Sequence, residues 1–207
     1  MANQASAAST AYEQAFTALR GNAGPPWLPA LRRRAMDRFS ALGFPTTRNE
    51  AWHFTSVTPI AERIFKAAPA RSGPATLSPA DVAGLVIGDP DWHRLVFVNG
   101  RFEASLSAFA GLPAEVRITT FAEALKESPG FMSEHLGKLA GGEGQPFTAF
   151  NTAFAQDGVV IHVPGGVVVE ASVHIVNIAD AHAAGAGIHP RQVVVPMALS
   201  QLTIVDS

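Results

Sequence analysis

The sequence predicts an α+β protein in which a helix-rich N-terminal half precedes a region of short strands. In the first half, apolar residues recur at helical spacing. After Phe154, five short segments rich in valine and isoleucine follow one another with no helical period between them. Charge also changes along the chain, because residues 1–140 hold 14 of the 15 basic groups and residues 141–207 hold only Arg191. Such a shift in composition is typical of a domain boundary.

Composition excludes several classes of protein. With 47% hydrophobic and 15% charged residues, the chain is unlike a disordered segment. A net charge of −2 does not indicate a nucleic-acid or acidic-membrane partner. Because the sequence has no apolar run of about 18 residues and no signal peptide, we expect a cytoplasmic protein. The absence of cysteine excludes disulfides and thiolate ligands within the chain.

Two helices are predicted near the N-terminus. Tyr12, Phe16 and Leu19 share one helical face, and Gly21 follows as a stop signal. Prolines 25, 26 and 29 lead into a second helix that ends at Gly43. Its predicted apolar face consists of Leu28, Leu31, Ala35, Phe39 and Leu42. Its basic residues are expected on a solvated face: Arg32, Arg33, Arg34 and Arg38.

Turn and capping signals organise the middle of the chain. The pair Asn99-Gly100 predicts a two-residue hairpin turn within residues 94–107. A strand is expected near residues 116–118, and a helix near residues 131–139. Capping-box spacing at Thr47 and Glu50 predicts a short helical turn carrying Trp52, and the same spacing at residues 120 and 123 predicts a further helix start.

The last third reads as strands after one connecting helix. A helix over residues 147–154 leads to the turn Asp157-Gly158, and the strand-like runs are GVVIHVP, GVVVE, SVHIVNIA, RQVVVP and QLTIVDS. Without intervening helices, βαβ crossovers are excluded, leaving a sandwich, a barrel or a β-solenoid. The predicted division is an N-terminal α+β domain at 1–140, a hinge and connecting helix at 141–158, and β coils at 159–207.

Residue types that carry chemistry are sparse. His162 and His174 are the only candidate metal ligands, since both are out of phase with the apolar positions of their strands and would face outward on adjacent coils. No third ligand is held beside them by spacing, so no metal, catalytic or cofactor site is predicted. Asp180, His182 and Ser172 supply the residue types of a triad but no nucleophile motif. The glycine-rich stretches lack the signature of a phosphate loop.

Three strings, in order, resemble SufD proteins of the SufB/SufD family, which belongs to the SUF system of iron–sulfur cluster assembly. They are FPTTRNEAWHFTSVTPI at 44–60, LVFVNGRFEASLS at 95–107 and FNTAFAQDGVVIHVPGGVVVEASVHI at 150–175. His189-Pro190-Arg191 before QVVV also fits the family pattern. The first string favours SufD over SufB.

The resemblance implies that residues 159–207 begin a right-handed parallel β-helix, which here looks truncated. It implies a non-enzymatic component that acts with SufB and the ATPase SufC, that holds no cofactor in this part of the chain, and that meets a cluster only transiently within a complex. The apolar final run has no cap, so we expect residues 199–205 to be covered by a partner, a second copy or a longer natural chain.

Two enzyme classes are the alternatives. A left-handed β-helical acyltransferase would need an aliphatic-glycine hexad repeated many times, and residues 160–170 supply one imperfect match. A carbohydrate-active β-helix would use clustered aspartate and arginine on one coil face, whereas the C-terminal region holds Arg191 alone.

Overall fold

The computed structural model describes residues 2–19, 24–67, 77–109 and 111–207. The predicted α+β class is confirmed. In chain order the helices are α1 (Ala2–Leu19), α2 (Leu28–Leu42), α3 (Thr58–Ala61), α4 (Pro79–Ala83), α5 (Phe121–Glu127), α6 (Pro129–His135) and α7 (Pro146–Phe154). The strands are β1 (Lys66–Ala67), β2 (His93–Val98), β3 (Arg101–Phe102), β4 (Arg117–Thr120), β5 (Gly158–Val163), β6 (Val173–Ile178), β7 (Ala186–Gly187), β8 (Arg191–Pro196) and β9 (Ile204–Asp206).

The chain forms two compact units that interleave in sequence. The first unit comprises Met1–Ala67, Leu125–Ala155 and Gly185–His189. The second unit comprises Ala68–Ala124, Gln156–Ala184 and Pro190–Ser207. This division by contacts differs from the predicted division at residues 140 and 158, which stays a prediction about how the chain is organised.

Aromatic side chains from three helices form the core of the first unit. Tyr12 and Phe16 of α1 pack with Met36 and Phe39 of α2 and with Phe150 of α7. The rings of Tyr12 and Phe150 meet edge to face, with centroids 4.8 Å apart, a geometry that aromatic pairs prefer. The helical spacing read from the sequence therefore selects the correct buried face of α1.

The predicted bounds of α2 are confirmed, with one error on its apolar face. The helix ends where the N–H of Gly43 donates to the Phe39 carbonyl at 2.7 Å, and Gly43 takes a φ of +66°. Leu42 was predicted to be buried but is 46% exposed, whereas Met36 is fully buried. The buried face of α2 is the one that packs against α1 and α7. The spacing of apolar residues within α2 does not show where those two helices lie. The predicted stop at Gly21 lies outside the described residues.

The second unit contains two sheets that enclose one apolar cluster. The four-stranded sheet has the order β3-β2-β6-β9, and the three-stranded sheet has the order β4-β5-β8. Strands β2, β6 and β9 are parallel to one another, and β5 is parallel to β8. Leu95, Phe97, Ile161 and Ile175, from β2, β5 and β6, belong to the shared cluster. Burial on both sides explains why these strands are nearly continuous apolar runs.

Local turn signals predict this unit well. Asn99 and Gly100 take φ values of +54° and +74° between the antiparallel strands β2 and β3, so the predicted hairpin is confirmed. At the start of α5, the Glu123 N–H donates to Thr120 Oγ1 at 3.1 Å and the Thr120 N–H donates to Glu123 Oε2 at 3.3 Å. This capping box is also confirmed.

Other local predictions are wrong. The turn of residues 50–52 begins after Asn49, which is the N-cap residue without a side-chain cap, so Thr47 does not cap it. The helix predicted to reach residue 139 ends at His135, because Gly137 has a φ of +72°. The run GVVVE forms only one isolated bridge, from Val168 to Gln201, and it begins within the turn that starts at Pro164 and Gly165. Residues 155–207 contain no α-helix, as predicted.

Asp157 and Gly158 join several elements of the second unit at the start of β5. The buried Asp157 carboxylate accepts hydrogen bonds from the Phe102 N–H at 3.2 Å and from the Ala122 N–H at 3.4 Å. The Asp157 carbonyl accepts the N–H of Arg191 at 3.1 Å. Gly158 has a φ of +149°, and a Cβ atom there would lie 1.9 Å from the Arg191 carbonyl oxygen. The close approach of β8 to β5 therefore requires glycine.

Replacement of this glycine tests the junction. We expect Gly158→Ala to lower the free energy of unfolding by about 3 kcal/mol or more, because the methyl group collides with backbone rather than with a flexible side chain. The measurement is urea denaturation followed by circular dichroism. Gly130→Ala in α6 is the matched control, since nothing lies within 4 Å of its Cβ position. Equal stability of the two variants would contradict the assignment.

Candidate functional site

The two candidate metal ligands lie in different sheets of the second unit. His162 on β5 is half-buried and is in register with Arg117 of β4 and Val195 of β8. His174 on β6 is in register with Arg94 of β2. Strand register does not bring the two imidazoles to a common ion, because each pairs with strands of its own sheet.

His174 alternates with Val173 and Ile175, as predicted, but it is buried rather than exposed. Its Nε2 lies 2.9 Å from Ser207 Oγ, and its ring meets the edge of Trp92 at 6.1 Å between centroids. The outer face of β6 is covered by a second apolar cluster that includes Val82 and Leu106. Burial lowers the pKa of His174, the charge of Arg94 lowers it further, and Asp206 opposes both. His174 is therefore a core histidine of the sheet.

The three triad residue types do not all assemble. His182 Nδ1 lies 3.3 Å from Asp180 Oδ2, but Ser172 lies at the other end of β6. Asp180 Oδ1 accepts hydrogen bonds from Asn99 Nδ2 at 2.7 Å and from the His182 N–H at 2.8 Å. In return, Asn99 Oδ1 accepts the Asp180 N–H at 3.0 Å. Ser172 precedes β6 and Asp180 follows it, so the strand separates them by roughly 20 Å. Asp180 therefore stabilises the hairpin turn through its hydrogen bonds with Asn99. The hydrogen bond from the Asn99 side chain is also the main cause that lowers the pKa of Asp180.

His189 in the first unit is a half-buried titratable group whose surroundings the sequence did not predict. Its ring centroid lies 5.0 Å from that of Phe150 and 5.3 Å from that of Phe154. A Cβ atom at Gly187 would lie 2.9 Å from His189 Nε2, so glycine makes room for the imidazole. Burial lowers the pKa of His189 to about 4. No local pattern predicts this, because the two phenylalanines belong to α7, far upstream.

The arginines of α2 are not a uniformly solvated face. Three of the four contact other segments of the first unit: Arg32 donates to the Ala155 carbonyl at 2.6 Å, Arg33 pairs with Glu13 at 3.0 Å, and Arg38 donates to the Gly141 carbonyl. The prediction of a solvated face holds only for Arg34, which is exposed. Arg34 and Arg38 line an open cavity of about 280 Å³ between α2, the loop at residues 137–145 and Thr152 of α7.

Strands β8 and β9 form the outer edges of their sheets in the part of the chain that the structure describes. The N–H groups of Arg191 and Met197 donate toward β5, at 3.1 and 2.9 Å. Because residues of a strand point their N–H groups alternately to the two sides, Gln192 and Val194 direct theirs away from β5. Pro196, in the same phase, has no N–H to offer.

The turn between β8 and β9 exposes apolar residues beside this edge. Leu199 is 91% exposed with a φ of +62°, and Met197 is 50% exposed. A leucine in the left-handed region is uncommon and energetically unfavourable. Edges of this kind accept strands from other segments or chains.

Two other kinds of site are absent from the described residues. No three histidine, aspartate or glutamate side chains among them lie close enough to hold a metal ion. None of the helices they form is long and apolar enough to cross a membrane.

These features define an α+β protein with two sets of parallel strands, and no further described strand pairs with their outer edges. The family profile described as SufBD protein N-terminal region matches residues 4–175. The chain therefore belongs to the SufB/SufD family, as the resemblance predicted. It is similar to the iron–sulfur cluster assembly SufBD family protein slr0076 of Synechocystis sp. (strain ATCC 27184 / PCC 6803 / Kazusa), with 26% identity over 176 residues. That match covers 85% of this chain and 38% of the Synechocystis protein.

The low pKa of His189 predicts a dependence of stability on pH. Above the ordinary histidine pKa of 6.5, the imidazole is neutral in both the folded and the unfolded state. Below it, the unfolded chain takes up a proton that the folded protein accepts only near pH 4, so stability falls as pH falls through this window. We expect this group to contribute a loss of about 2 kcal/mol in the free energy of unfolding between pH 6.5 and 4.5.

The variant His189→Gln removes this contribution and leaves those of other groups. Its denaturation curves at several pH values should show a smaller pH dependence than wild type, although its stability at pH 7 is lower because the ring contacts are lost. The control is His53→Gln, at an exposed histidine of the same unit, which should retain the wild-type dependence. Identical pH profiles for the wild type and the His189 variant would refute the assignment.

Proposed function

We propose that this chain is part of a SufD-type component of an iron–sulfur cluster assembly machinery. Membership of the SufB/SufD family supports this, and the similar Synechocystis protein is named for iron–sulfur cluster assembly. The string at residues 44–60 favours SufD over SufB. The proposed role is that of a non-enzymatic cytoplasmic scaffold that acts with SufB and the ATPase SufC, without a nucleic-acid or membrane partner.

We further propose that β5, β6, β8 and β9 are the first two coils of a right-handed parallel β-helix. The repeated order of pairing supports this reading. Gly158 of β5 pairs with Arg191 of β8, Val168 pairs with Gln201, and Val173 of β6 pairs with Ile204 of β9, all in parallel. Residues 158–175 therefore pair with residues 191–206 at three successive places, in the same order along both segments. Stacked coils require such a pattern.

The open edges of β8 and β9 are where this scaffold would be extended. Stacked coils bury their apolar faces only against neighbours, and the exposed Leu199 and Met197 lie at that end of the described strands. In this proposal a further strand covers the edge. Its source is SufB, a second copy of this chain, or a longer protein, since the chain spans 38% of the length of its Synechocystis relative.

In this scheme the iron–sulfur cluster is cargo. The chain has no cysteine, and thiolates are the usual ligands of such clusters. Its two predicted candidates, His162 and His174, lie in different sheets. The cluster would therefore meet this protein only transiently, through ligands that the complex as a whole supplies.

Co-purification with partners tests the proposed scaffold. The tagged chain is produced together with SufB and SufC homologues of its own organism and analysed by size exclusion with light scattering. We expect a complex that contains SufB, with a mass well above the 21.7 kDa of the chain. Val194→Pro should weaken this assembly by about tenfold or more, because proline removes an N–H that points away from β5 and leaves the β5–β8 hydrogen bonds in place.

Val194→Ala is the matched control, since it also loses the valine side chain but keeps the N–H. It should assemble nearly as well as wild type, and circular dichroism should show both variants folded. A dimer formed without SufB would identify a second copy as the occupant of the edge. A stable 21.7 kDa monomer in the presence of both partners would overturn the proposal, as would equal assembly by the proline and alanine variants.

A separate prediction concerns iron. The purified chain should be colourless and should bind ferrous iron with a Kd no tighter than about 10 µM, as expected of scattered imidazoles rather than a dedicated site. Anaerobic titration with colorimetric iron analysis measures this. A stoichiometric, chelator-resistant iron or cluster absorbance would show that the chain holds the metal itself, and His162→Ala and His174→Ala would then identify the ligands.

A further inference from the structure

The open cavity of the first unit has the size and charge of a small-molecule site. Its volume is about 280 Å³, and its base includes Ala35, the buried Gly142 and Thr152. Because one water molecule occupies about 30 Å³ of liquid, this space suits a ligand of about nine non-hydrogen atoms. All of its lining residues belong to the first unit.

Positive charge dominates the rim. Arg34, Arg38 and Lys138 line the cavity, and Glu143 is the acidic residue among its lining groups. Arg34 and Arg38 stand one helical turn apart on α2, so both guanidinium groups reach the same side of the helix. Guanidinium groups bind phosphate and carboxylate oxygens in bidentate fashion, and a lysine adds a mobile point charge.

Gly142 allows the loop that forms one wall of the cavity to pack closely against α7. Gly142 has a φ of +78°, and a Cβ atom there would lie 3.0 Å from the Cα, Cβ and N atoms of Ala149. The loop therefore packs tightly on α7. Arg38 reinforces this arrangement by donating to the carbonyl of Gly141. The basic residues thus surround a defined concave surface rather than a loose chain segment.

The Glu143 carboxylate would compete with an anionic ligand for the Arg38 guanidinium. Glu143 Oε1 lies 3.6 Å from Arg38 Nη2, yet the Glu143 side chain is 87% exposed. An ion pair this exposed contributes little to stability, so a dianion can displace it. Within the described residues, no hydrogen bond or ion pair engages the Arg34 guanidinium or the Lys138 ammonium. Two cations therefore face the cavity with their charge available to a ligand.

We propose that this cavity binds a small anion that carries two or more negative charges on phosphate or carboxylate oxygens. Arg34 and Lys138 contact the anion directly, and Arg38 contacts it once Glu143 has moved aside. Pyrophosphate, with nine non-hydrogen atoms, represents the phosphate class, and succinate represents the carboxylate class. This site is independent of the proposed scaffold role and does not require SufB or SufC.

Isothermal titration of the intact chain with pyrophosphate and, separately, with succinate tests the proposal at low ionic strength and without divalent cations. We expect a one-to-one complex with at least one of them, with a Kd below about 100 µM. Arg34→Gln and Lys138→Gln should each weaken binding by about tenfold. Glu143→Gln should strengthen it by about threefold, because the competing carboxylate is gone.

Charge-removing variants outside the cavity distinguish binding at this site from non-specific attraction of the anion to the charged surface. Arg48 and Glu50 are exposed residues of the same unit that do not line the cavity. Arg48→Gln and Glu50→Gln should leave the affinity unchanged, and circular dichroism should show all variants folded. No binding by either anion up to 1 mM would overturn the proposal (a threshold set on the order of ten times the expected Kd). So would equal weakening by the Arg34 and Arg48 variants. A preference between the two anions would identify the ligand class.

Discussion

The organisation of the second unit depends on the hydrogen bonds made by Asp157. One carboxylate oxygen receives the N–H of Phe102 at the end of the hairpin, and the other receives the N–H of Ala122 at the start of α5. The adjacent carbonyl receives the N–H of Arg191, and Gly158 leaves the space that β8 occupies. Buried charged acceptors are costly unless satisfied, so these segments are held in one arrangement together.

From that junction the parallel pairing follows. Once Arg191 is placed beside Gly158, β8 continues along β5, and the next segment lies along Val168 and β6. Each step buries apolar side chains of the same cluster and leaves a new edge of N–H and C=O groups. A series of parallel strands built in this way ends in an unpaired edge unless another strand covers it. In the proposed scaffold role, this edge would accept a strand from another segment or chain.

Several histidines and arginines that the sequence suggests as functional candidates instead make structural contacts. His174 and His189 are packed against tryptophan or phenylalanine rings, and burial lowers the pKa of both. They remain neutral near pH 7 and act as parts of the core. Of the α2 arginines, Arg32 and Arg33 satisfy distant partners, while Arg34 faces the cavity. Of these four arginines, Arg34 and Arg38 are therefore the ones whose charge lies at the cavity.

Features that arise within a few residues could be predicted from the sequence alone. The hairpin at Asn99-Gly100, the capping box at Thr120 and the end of α2 at Gly43 each depend on local backbone preferences, and the ordered strings determined the family. The pairing of the strands, the contact of His174 with Trp92 and the contact of His189 with Phe150 could not be predicted in this way. Those contacts join residues far apart in the chain, and the free energy that selects them comes from burial of surfaces that no short segment contains.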